Sequence, residues 1–230
     1  MEVGDVVAQD QTVKGKTVAF GLPTINGIKG EGFKVLVITH TRDLSNQVSD
    51  EFYLYGRNSN VRTVTIYGGR SYSRQIDLVR RGAQIVVATP GRLLDMLTKN
   101  MIKDFNPGIV ILDEADTMLD VGFLSEIQGI LKHCPQPRQT MMFSATISQN
   151  IKKLAKEFLR YPVVVEVSQR RDIVDFIAHR AYKVDKARKE ELTAKMIKDM
   201  HLDKVLLFAS TKESANKIYE YLRSQNIWTS

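Results

Sequence analysis

The chain has 230 residues, 43% of them hydrophobic and 26% charged, which is typical of a folded globular protein and excludes a disordered one. The formal net charge of +7 favours a polyanionic partner such as nucleic acid, without identifying it. No run approaches the roughly 18 apolar residues of a membrane span, and residues 1–5 do not begin a signal peptide. Cys134 is the single cysteine, which excludes an internal disulfide, so we expect a cytoplasmic protein without a membrane partner.

Short apolar runs rich in β-branched residues recur along the chain and are predicted as strands. Their apolarity is continuous rather than alternating, which is typical of strands buried on both faces of a parallel sheet. In chain order, the predicted strands are residues 6–8, 35–38, 61–66, 85–88, 109–112, 141–143, 163–165 and 205–208.

Helical spacing of apolar residues recurs between these runs. Residues 147–159 carry apolar side chains at i, i+4, i+7 and i+8, with Ser148 as a candidate N-cap. Residues 215–222 repeat the pattern after Ser210 and Glu213, which have the spacing of a capping box. Because strands alternate with helices, we predict an α/β fold, a doubly wound parallel sheet with helices on both faces.

A polar, charged stretch that begins at Ser168 marks a predicted domain boundary. We expect a first domain over residues 1–168, a linker over 169–178 and the start of a second domain over 179–230. The elements predicted for the second part are a strand at 179–184, a Lys/Glu-rich helix at 186–200, the strand at 205–208, the helix at 215–222 and the start of a strand at 226–228. Because so few elements bury little apolar surface, this part should be marginally stable alone, with Trp228 exposed.

A candidate phosphate-binding loop follows the first predicted strand. It comprises Gln11, Thr12, Gly15, Lys16 and Thr17, and Gly-Lys-Thr at the start of a helix is how a P-loop ends. Backbone N–H groups there bind phosphate oxygens, Lys16 would reach the β- and γ-phosphates of a nucleotide, and Thr17 would ligate Mg²⁺. A simple turn is the alternative interpretation, because Gly-Lys-Thr often occurs by chance.

An acidic pair, Asp113 and Glu114, follows the predicted strand at 109–112. Carboxylates at this end of a strand would lie beside the metal of a phosphate-binding loop. Asp113 would hold Mg²⁺, directly or through water, and Glu114 would orient or deprotonate the attacking water. The alternative is an acidic helix start, because carboxylates stabilise the helix dipole.

Polar segments follow several of the predicted strands, and in a doubly wound sheet the carboxyl ends of the strands form one ligand-binding edge. These segments are residues 11–17, 39–44, 89–92, 113–116 and 144–146. The sequence therefore predicts a phosphate loop, an acidic pair and two arginines on one edge.

In identity and order, these segments resemble the motifs of DEAD-box ATP-dependent RNA helicases, over essentially the whole chain. The residues that carry the resemblance are 11–17 (motif I), 41–44 (motif Ia), 68–69 (the GG motif), 89–92 (motif Ib), 113–116 (motif II), 144–146 (motif III) and 206–212 (motif IV). The resemblance implies a RecA-like P-loop domain followed by an incomplete second RecA-like domain. It also implies ATP and Mg²⁺ as cofactors, RNA as partner, and ATP binding and hydrolysis coupled to RNA binding and duplex unwinding.

The resemblance also implies roles for individual residues. Contacts to the sugar-phosphate backbone of RNA, which carry little sequence specificity, are implied for Thr41, Arg42, Gly68, Gly69, Thr89, Pro90, Gly91 and Arg92. Coupling of the ATP state to RNA binding is implied for Asp116, Ser144, Ala145 and Thr146. Surface salt bridges are the alternative for Arg42 and Arg92, and helix capping is the alternative for Ser144 and Thr146.

The chain departs from the family pattern in the phosphate loop and in motif Ia. Asp10 stands where the family has a small residue and Val13 where it has glycine, while His40 replaces the usual proline. The family's Q motif lies upstream of motif I, and motifs V and VI, which include the arginine fingers, lie beyond residue 230. We therefore expect this chain alone to be a weak or inactive ATPase. The alternatives to a helicase are a non-catalytic RNA-binding remnant and an inactive truncated product.

Overall fold

The computed structural model describes residues 4–9, 15–30, 32–166, 178 and 180–229 of the chain. The chain forms two compact units, Met1–Arg170 and Arg171–Ser230. Of the predicted linker, only Ala178 is described, so the domain boundaries stay a prediction. In these described ranges, no helix is long and apolar enough to cross a membrane.

A parallel sheet forms the centre of the first unit. Its strands are β1 (Val6–Gln9), β2 (Val35–Ile38), β3 (Thr63–Ile66), β4 (Ile85–Ala88), β5 (Ile109–Leu112), β6 (Gln139–Ser144) and β7 (Val163–Glu166). They lie in the order β3-β4-β2-β5-β6-β1-β7, and every neighbouring pair is parallel. The predicted doubly wound sheet is confirmed, and each strand of this unit lies within about two residues of its predicted ends.

Helices cover both faces of this sheet. They are α1 (Lys16–Gly27), α2 (Arg42–Gly56), α3 (Tyr72–Arg80), α4 (Pro90–Thr98), α5 (Ala115–Asp120), α6 (Leu124–His133) and α7 (Gln149–Phe158). On one face, Phe20 of α1 and Phe52 of α2 pack in an apolar cluster with Val37 of β2. The alternate β2 residue, Leu36, enters the cluster on the other face, where α3 to α7 pack. Because alternate residues of one strand enter both clusters, the central strands are continuously apolar.

The edge strand β7 differs from the central strands because all of its residues are exposed. It pairs with β1 alone and therefore has a neighbouring strand on only one side. The prediction that this apolar run is buried on both faces is therefore wrong. Apolarity predicted the strand, but edge position decides its burial, and edge position depends on strand order.

Asp5 holds together the strands at the β7 edge of the sheet. Its buried carboxylate accepts hydrogen bonds from the backbone N–H groups of Thr140 at 2.6 Å and Arg160 at 2.5 Å. Its carbonyl oxygen accepts a further bond from the N–H of Val163 at 2.9 Å. One residue before β1 thereby holds β6 and the beginning of β7 in place.

The second unit contains helices in its described residues. A single 3₁₀ turn, Lys186–Arg188, leads into α8 (Lys189–Asp199), and α9 spans Lys212–Ser224. Both helices were predicted. The hydrophobic residues that are fully buried here are Ala194 and Leu222, so this part of the described chain has little core.

The strands predicted for the second unit are wrong wherever the structure describes them. Residues 180–184, 205–208 and 226–228 are not in strands, and His179 lies outside the described residues. A strand is defined by hydrogen bonds to a neighbour, and apolarity alone cannot form that ladder. Trp228 is 97% exposed, as predicted.

Of the two helix caps predicted from sequence, the one at Ser148 is confirmed and the one at Ser210 is wrong. Ser148 caps α7 as predicted, with its Oγ accepting a hydrogen bond from the N–H of Ile151 at 3.3 Å. The predicted cap at Ser210 is wrong, because Thr211 caps α9 and its Oγ1 accepts from the N–H of Ser214 at 3.1 Å. Adjacent Ser and Thr residues offer the same capping group, so sequence alone did not distinguish between them.

Candidate functional site

The segments that follow the parallel strands meet at one edge of the sheet, because the carboxyl ends of the strands lie side by side there. Across this edge, the order is residues 68–70 after β3, 89–92 after β4, 39–42 after β2, 113–116 after β5, 144–146 at the end of β6 and the described residues 15–17 after β1. We call the first three segments the arginine half and the last three the acid half. A shared edge was predicted, whereas this grouping follows from strand order.

The described part of the phosphate-loop candidate is Gly15, Lys16 and Thr17 at the beginning of α1. The predicted residues Gln11 and Thr12, together with Asp10, Val13 and Lys14, lie outside the described residues. Gly15 has a φ of +107°, a left-handed conformation that favours glycine. Lys16 is only 8% exposed, and Thr17 is half-buried. The helix therefore begins with a lysine that is held inside the unit rather than in solvent.

Asp113 is a buried carboxylate at the end of β5, with 4% of its surface exposed. Its Oδ1 has no hydrogen-bond partner among the described residues. Burial raises the pKa of Asp113 to about 6, although the positive charge of Lys16 opposes this shift, and the negative charge of Glu114 adds to it. An unpartnered buried carboxylate oxygen near a buried lysine fits a cation ligand, because a cation would compensate the lost hydration.

A cation bound at Asp113 would need further ligands. No group of three or more His, Cys, Asp or Glu side chains that could hold a metal occurs in the described ranges. A Mg²⁺ ion bound through Asp113 and Thr17 would therefore take its other ligands from nucleotide phosphates and water. This donor set fits Mg²⁺, which commonly binds through one or two protein oxygens and substrate phosphates.

Glu114 lies beside His40, the residue that follows Thr39 after β2. His40 Nδ1 is 3.2 Å from Glu114 Oε2, although the two groups are not aligned for a hydrogen bond. The Glu114 backbone is left-handed, with φ +53° and ψ +50°, a strained conformation for a residue with a side chain. This contact joins the two halves of the edge. It was not predicted, because it depends on β2 and β5 being neighbours.

Asp116 connects the acidic segment to residues 144–146. Its Oδ2 accepts hydrogen bonds from Thr146 N at 2.8 Å and Thr146 Oγ1 at 2.9 Å. Burial alone would raise the pKa of Asp116, but these bonds from Thr146, with backbone N–H groups of Thr117 and Ala145, lower it below its ordinary value. The ionised carboxylate is thus the form that holds the two segments together.

The segment 144–146 is fixed from two further directions. Ser144 Oγ donates to the carbonyl oxygen of Thr146 at 2.7 Å, which closes a local turn. The side-chain amide of Gln9, at the end of β1, donates to the carbonyl oxygen of Ala145 at 3.2 Å. Ser144 therefore hydrogen-bonds within residues 144–146, and Thr146 hydrogen-bonds to the acidic segment. Neither caps α7, because the cap of α7 is Ser148. The segment is tied both to the strand before the phosphate loop and to the acidic segment.

In the arginine half, Thr41 and Arg42 begin α2. Thr41 Oγ1 accepts a hydrogen bond from the N–H of Leu44 at 3.2 Å, so this hydroxyl is a helix cap. Exposed Arg42 lies against Gly69, where an added Cβ would be 2.9 Å from Arg42 Nη1. Gly69 also has a φ of +89°, whereas Gly68 has open space around it. Close approach and backbone conformation therefore both require glycine at position 69.

Residues 89–92 place a second arginine beside the same turn. Thr89 N–H donates to Ile66 O at 2.9 Å, and Pro90 and Gly91 form the first turn of α4. Arg92 Nη1 donates to the carbonyl oxygen of Arg70 at 2.9 Å, and the Arg92 guanidinium lies 4.0 Å from the centre of the Tyr72 ring. Within the described ranges, neither Arg42 nor Arg92 forms an ion pair, so the salt-bridge alternative is not supported.

Comparison with known proteins identifies the family. A model of the DEAD/DEAH box helicase family matches residues 1–154, more than half of the chain. The chain belongs to this family. The letters of the DEAD box are Asp113, Glu114, Ala115 and Asp116 in this chain.

The DEAD-box chain is similar to curated bacterial proteins over nearly all of its length. RhpA of Helicobacter pylori (strain B128), named a DEAD-box ATP-dependent RNA helicase, is 38% identical over 96% of this chain and 45% of RhpA. The helicase CshA of Bacillus subtilis (strain 168) is 36% identical over 95% of this chain and 44% of CshA. A crystal structure of a DEAD box protein from the hyperthermophile Methanococcus jannaschii matches with a TM-score of 0.70 at 31% identity, over 96% of this chain and 60% of that protein. The chain thus spans about half the length of these curated relatives.

Three side chains on the edge of this DEAD-box chain were missed by reasoning from sequence: Gln9, Arg70 and Tyr72. Arg70 carried a signal, because it directly follows the GG motif. Gln9 carried none, because its contact with Ala145 spans 136 positions. Tyr72 was indistinguishable from a core aromatic before its contacts with Arg92 were known.

Proposed function

We propose that this chain binds ATP and RNA on neighbouring halves of one sheet edge, as the nucleotide-binding part of a DEAD-box RNA helicase. The supporting observation is the order of the segments, which groups the acidic and lysine residues on one side and the arginines on the other. Two ligands bound in this way would meet at the boundary between β2 and β5.

The acid half supplies the residues for ATP. Lys16 would contact the β- and γ-phosphates, Gly15 would let the backbone approach them, and Thr17 and Asp113 would hold Mg²⁺. Mg²⁺, when bound, neutralises phosphate charge during phosphoryl transfer. Glu114 would orient the attacking water or accept its proton. The unpartnered Oδ1 of Asp113 is the feature that favours a cation here over a simple acidic helix start.

The arginine half supplies contacts to the sugar-phosphate backbone of RNA. Arg42 and Arg92 would bind phosphates, and Gly68, Gly69 and the first turn of α4 would let the strand approach closely. Because backbone contacts carry no base information, we expect little sequence specificity. The Asp116–Thr146 hydrogen bonds would transmit the ATP state within the acid half, since they connect the acidic segment to the loop that Gln9 holds. The contact of His40 with Glu114 would join this half to the arginine half.

A second candidate is RNA binding that does not depend on ATP. The contact of His40 with Glu114 favours it, because that contact engages the residue expected to act on water. Asp10 and Val13 in the phosphate loop favour it as well. A cytoplasmic location remains part of the proposal and rests on the single free cysteine, Cys134.

The binding of a labelled single-stranded RNA distinguishes these candidates. Fluorescence anisotropy would be recorded at low salt with Mg²⁺, with and without a non-hydrolysable ATP analogue. The first proposal expects tighter RNA binding with the analogue, and a loss of this gain in Lys16→Ala. Equal affinity in both conditions supports ATP-independent binding. If RNA does not bind in either condition, both proposals are wrong.

A further inference from the structure

Three arginines meet at the turn of residues 68–70: two contact its backbone, and the third is part of it. Arg42 lies against Gly69, and Arg92 donates to the carbonyl oxygen of Arg70 at 2.9 Å. Arg70 itself contributes the third guanidinium. We call this group the arginine turn, and it consists of residues 68–70 with Arg42 and Arg92. Of its three arginines, only Arg42 and Arg92 belong to the motifs that carry the family resemblance.

The Arg70 side chain is exposed, but a contact with Tyr67 restricts its orientation. Its guanidinium carbon lies 4.9 Å from the centre of the Tyr67 ring, within the range of a cation–π contact. Tyr67 is itself buried, and its carbonyl oxygen accepts a hydrogen bond from Gln75 Nε2 at 2.9 Å. A fixed aromatic ring therefore supports the charged group, which lowers the entropy lost when that group binds a ligand.

The arginine turn carries three positive charges, and the carboxylate of Asp95 interacts with one of them, Arg92, without forming an ion pair. Within the described ranges, none of its three arginines forms an ion pair with a carboxylate. Asp95, the carboxylate that contacts Tyr72, is already engaged by Lys99 at 2.7 Å. Like charges at one turn repel one another, and an anion bound between them relieves that repulsion. The planar guanidinium fork matches the oxygens of a phosphate group.

We infer that Arg70 is a third phosphate-binding residue for RNA, in addition to Arg42 and Arg92. This inference rests on the proposed RNA-binding function. It extends the backbone path of the RNA along the β3 end of the sheet edge, beyond the GG motif. Since the contact is to phosphate, the contribution of Arg70 is the same for RNAs of different sequence.

The test compares Arg70→Ala with a charge-matched control. Arg80→Ala removes one exposed positive charge at the far end of α3, a nine-residue helix about 13 Å long. Binding of labelled oligouridylate and oligoadenylate is measured by anisotropy over a series of KCl concentrations. Arg70→Ala should weaken both RNAs about fivefold at 0.1 M salt and reduce the slope of log K against log salt by about 0.7. Arg70→Lys, which keeps the charge, should retain the slope.

The outcomes separate the inference from the proposed function. Thermal melts confirm that each variant is folded before binding is compared. If the wild-type chain binds RNA and Arg70→Ala keeps its affinity and slope, the inference alone is wrong. If Arg80→Ala loses as much as Arg70→Ala, general charge explains the loss, and the inference is again wrong. If the wild-type chain binds neither RNA, the proposed function and this inference both fail.

Discussion

Asp113 combines two properties at the scale of a single residue: it is buried, and one of its carboxylate oxygens has no partner among the described residues. Both properties raise the free energy of the folded chain when the carboxyl group is ionised. Groups that bind ligands commonly reduce stability in this way, because the ligand later supplies the missing interaction. Asp113 should therefore lower the free energy of unfolding in the absence of nucleotide and raise it when the proposed nucleotide and cation are bound.

The loss of stability caused by ionised Asp113 depends on pH, and its direction follows from the pKa of this residue. The pKa of Asp113 is raised from 3.8 to about 6 in the folded chain, so the folded state holds the proton more tightly than the unfolded state. Stability should therefore fall as the pH rises from about 4 to about 6, by up to about 3 kcal/mol. Asp113→Asn should be more stable than the wild type at pH 8 and equally stable near pH 4, as measured by urea unfolding without nucleotide or Mg²⁺. An equal difference at both pH values would contradict the assignment.

Gly69 and Gly68 form a matched pair for a second prediction. Gly69→Ala introduces a Cβ 2.9 Å from Arg42 Nη1 at a φ of +89°, whereas Gly68→Ala meets no atom within 4 Å. The left-handed conformation costs a residue with a side chain about 1 kcal/mol, and displacement of Arg42 adds to this. Gly69→Ala should lower the thermal midpoint by several degrees, while Gly68→Ala should leave it nearly unchanged. Equal shifts in the two variants would show that the Arg42 contact and the left-handed backbone are unimportant.

At the scale of elements, Asp5 connects the beginning of β1 to β6 and to the residues before β7, which are far from it in sequence. Asp5→Ala would leave the buried N–H of Thr140 and the N–H of Arg160 without their carboxylate partner. Loss of hydrogen bonds to a buried charged acceptor should destabilise the first unit by about 3 kcal/mol. Urea unfolding measures the change, and Asp50→Ala provides a control, because Asp50 is exposed on α2. Similar losses in both variants would mean that Asp5 does not hold the sheet edge together.

The elements show what the sequence could predict and where prediction failed. The central strands of the first unit were predicted because helices pack on both of their faces, and burial determines residue type. The run at 205–208 is also continuously apolar but is not in a strand, so apolarity does not guarantee pairing. β7 was predicted as a strand but not as an exposed edge, since strand order is decided by tertiary packing.

The candidate site was predictable to the same extent. The segments after the strands were expected at one edge because parallel strands end there, and strand topology agrees. Contacts between segments were not predictable. His40 meets Glu114 because β2 and β5 are neighbours, and Gln9 reaches Ala145 because β1 pairs with β6. Each of these contacts depends on strand order, which local sequence does not contain.

At the scale of the whole molecule, the two units differ in how much they bury. Cys134 lies in the apolar core of the first unit, whereas Trp228, the single tryptophan, is exposed in the second unit. Tryptophan emission should therefore change little when the first unit unfolds. The thiol of Cys134 is the better probe of that event.

The protection of Cys134 gives a measurable prediction. Burial raises the pKa of this thiol to about 12, although the positive charge of Arg138 opposes the shift. At pH 8, its reaction with an aromatic disulfide reagent should be about a thousandfold slower in the native chain than in the unfolded chain, because only the thiolate reacts. The rate should rise together with unfolding of the first unit in urea. A fast reaction without denaturant would contradict the burial of Cys134.

The position of β1 has a consequence for how the first unit is assembled in time. Residues 35–98 contain the whole arginine half, and β4 pairs with β2 and β3 across no more than 50 positions, so these pairings close shorter loops. β1 pairs with β6 and β7, and the bond from Thr140 to Asp5 spans 135 positions. Because distant contacts form slowly, we expect pulsed hydrogen exchange to protect β2 and β4 before β1. During synthesis, β1 leaves the ribosome before every other strand of this sheet and is the one that pairs late, so the loop that we propose for ATP is completed after the surface that we propose for RNA.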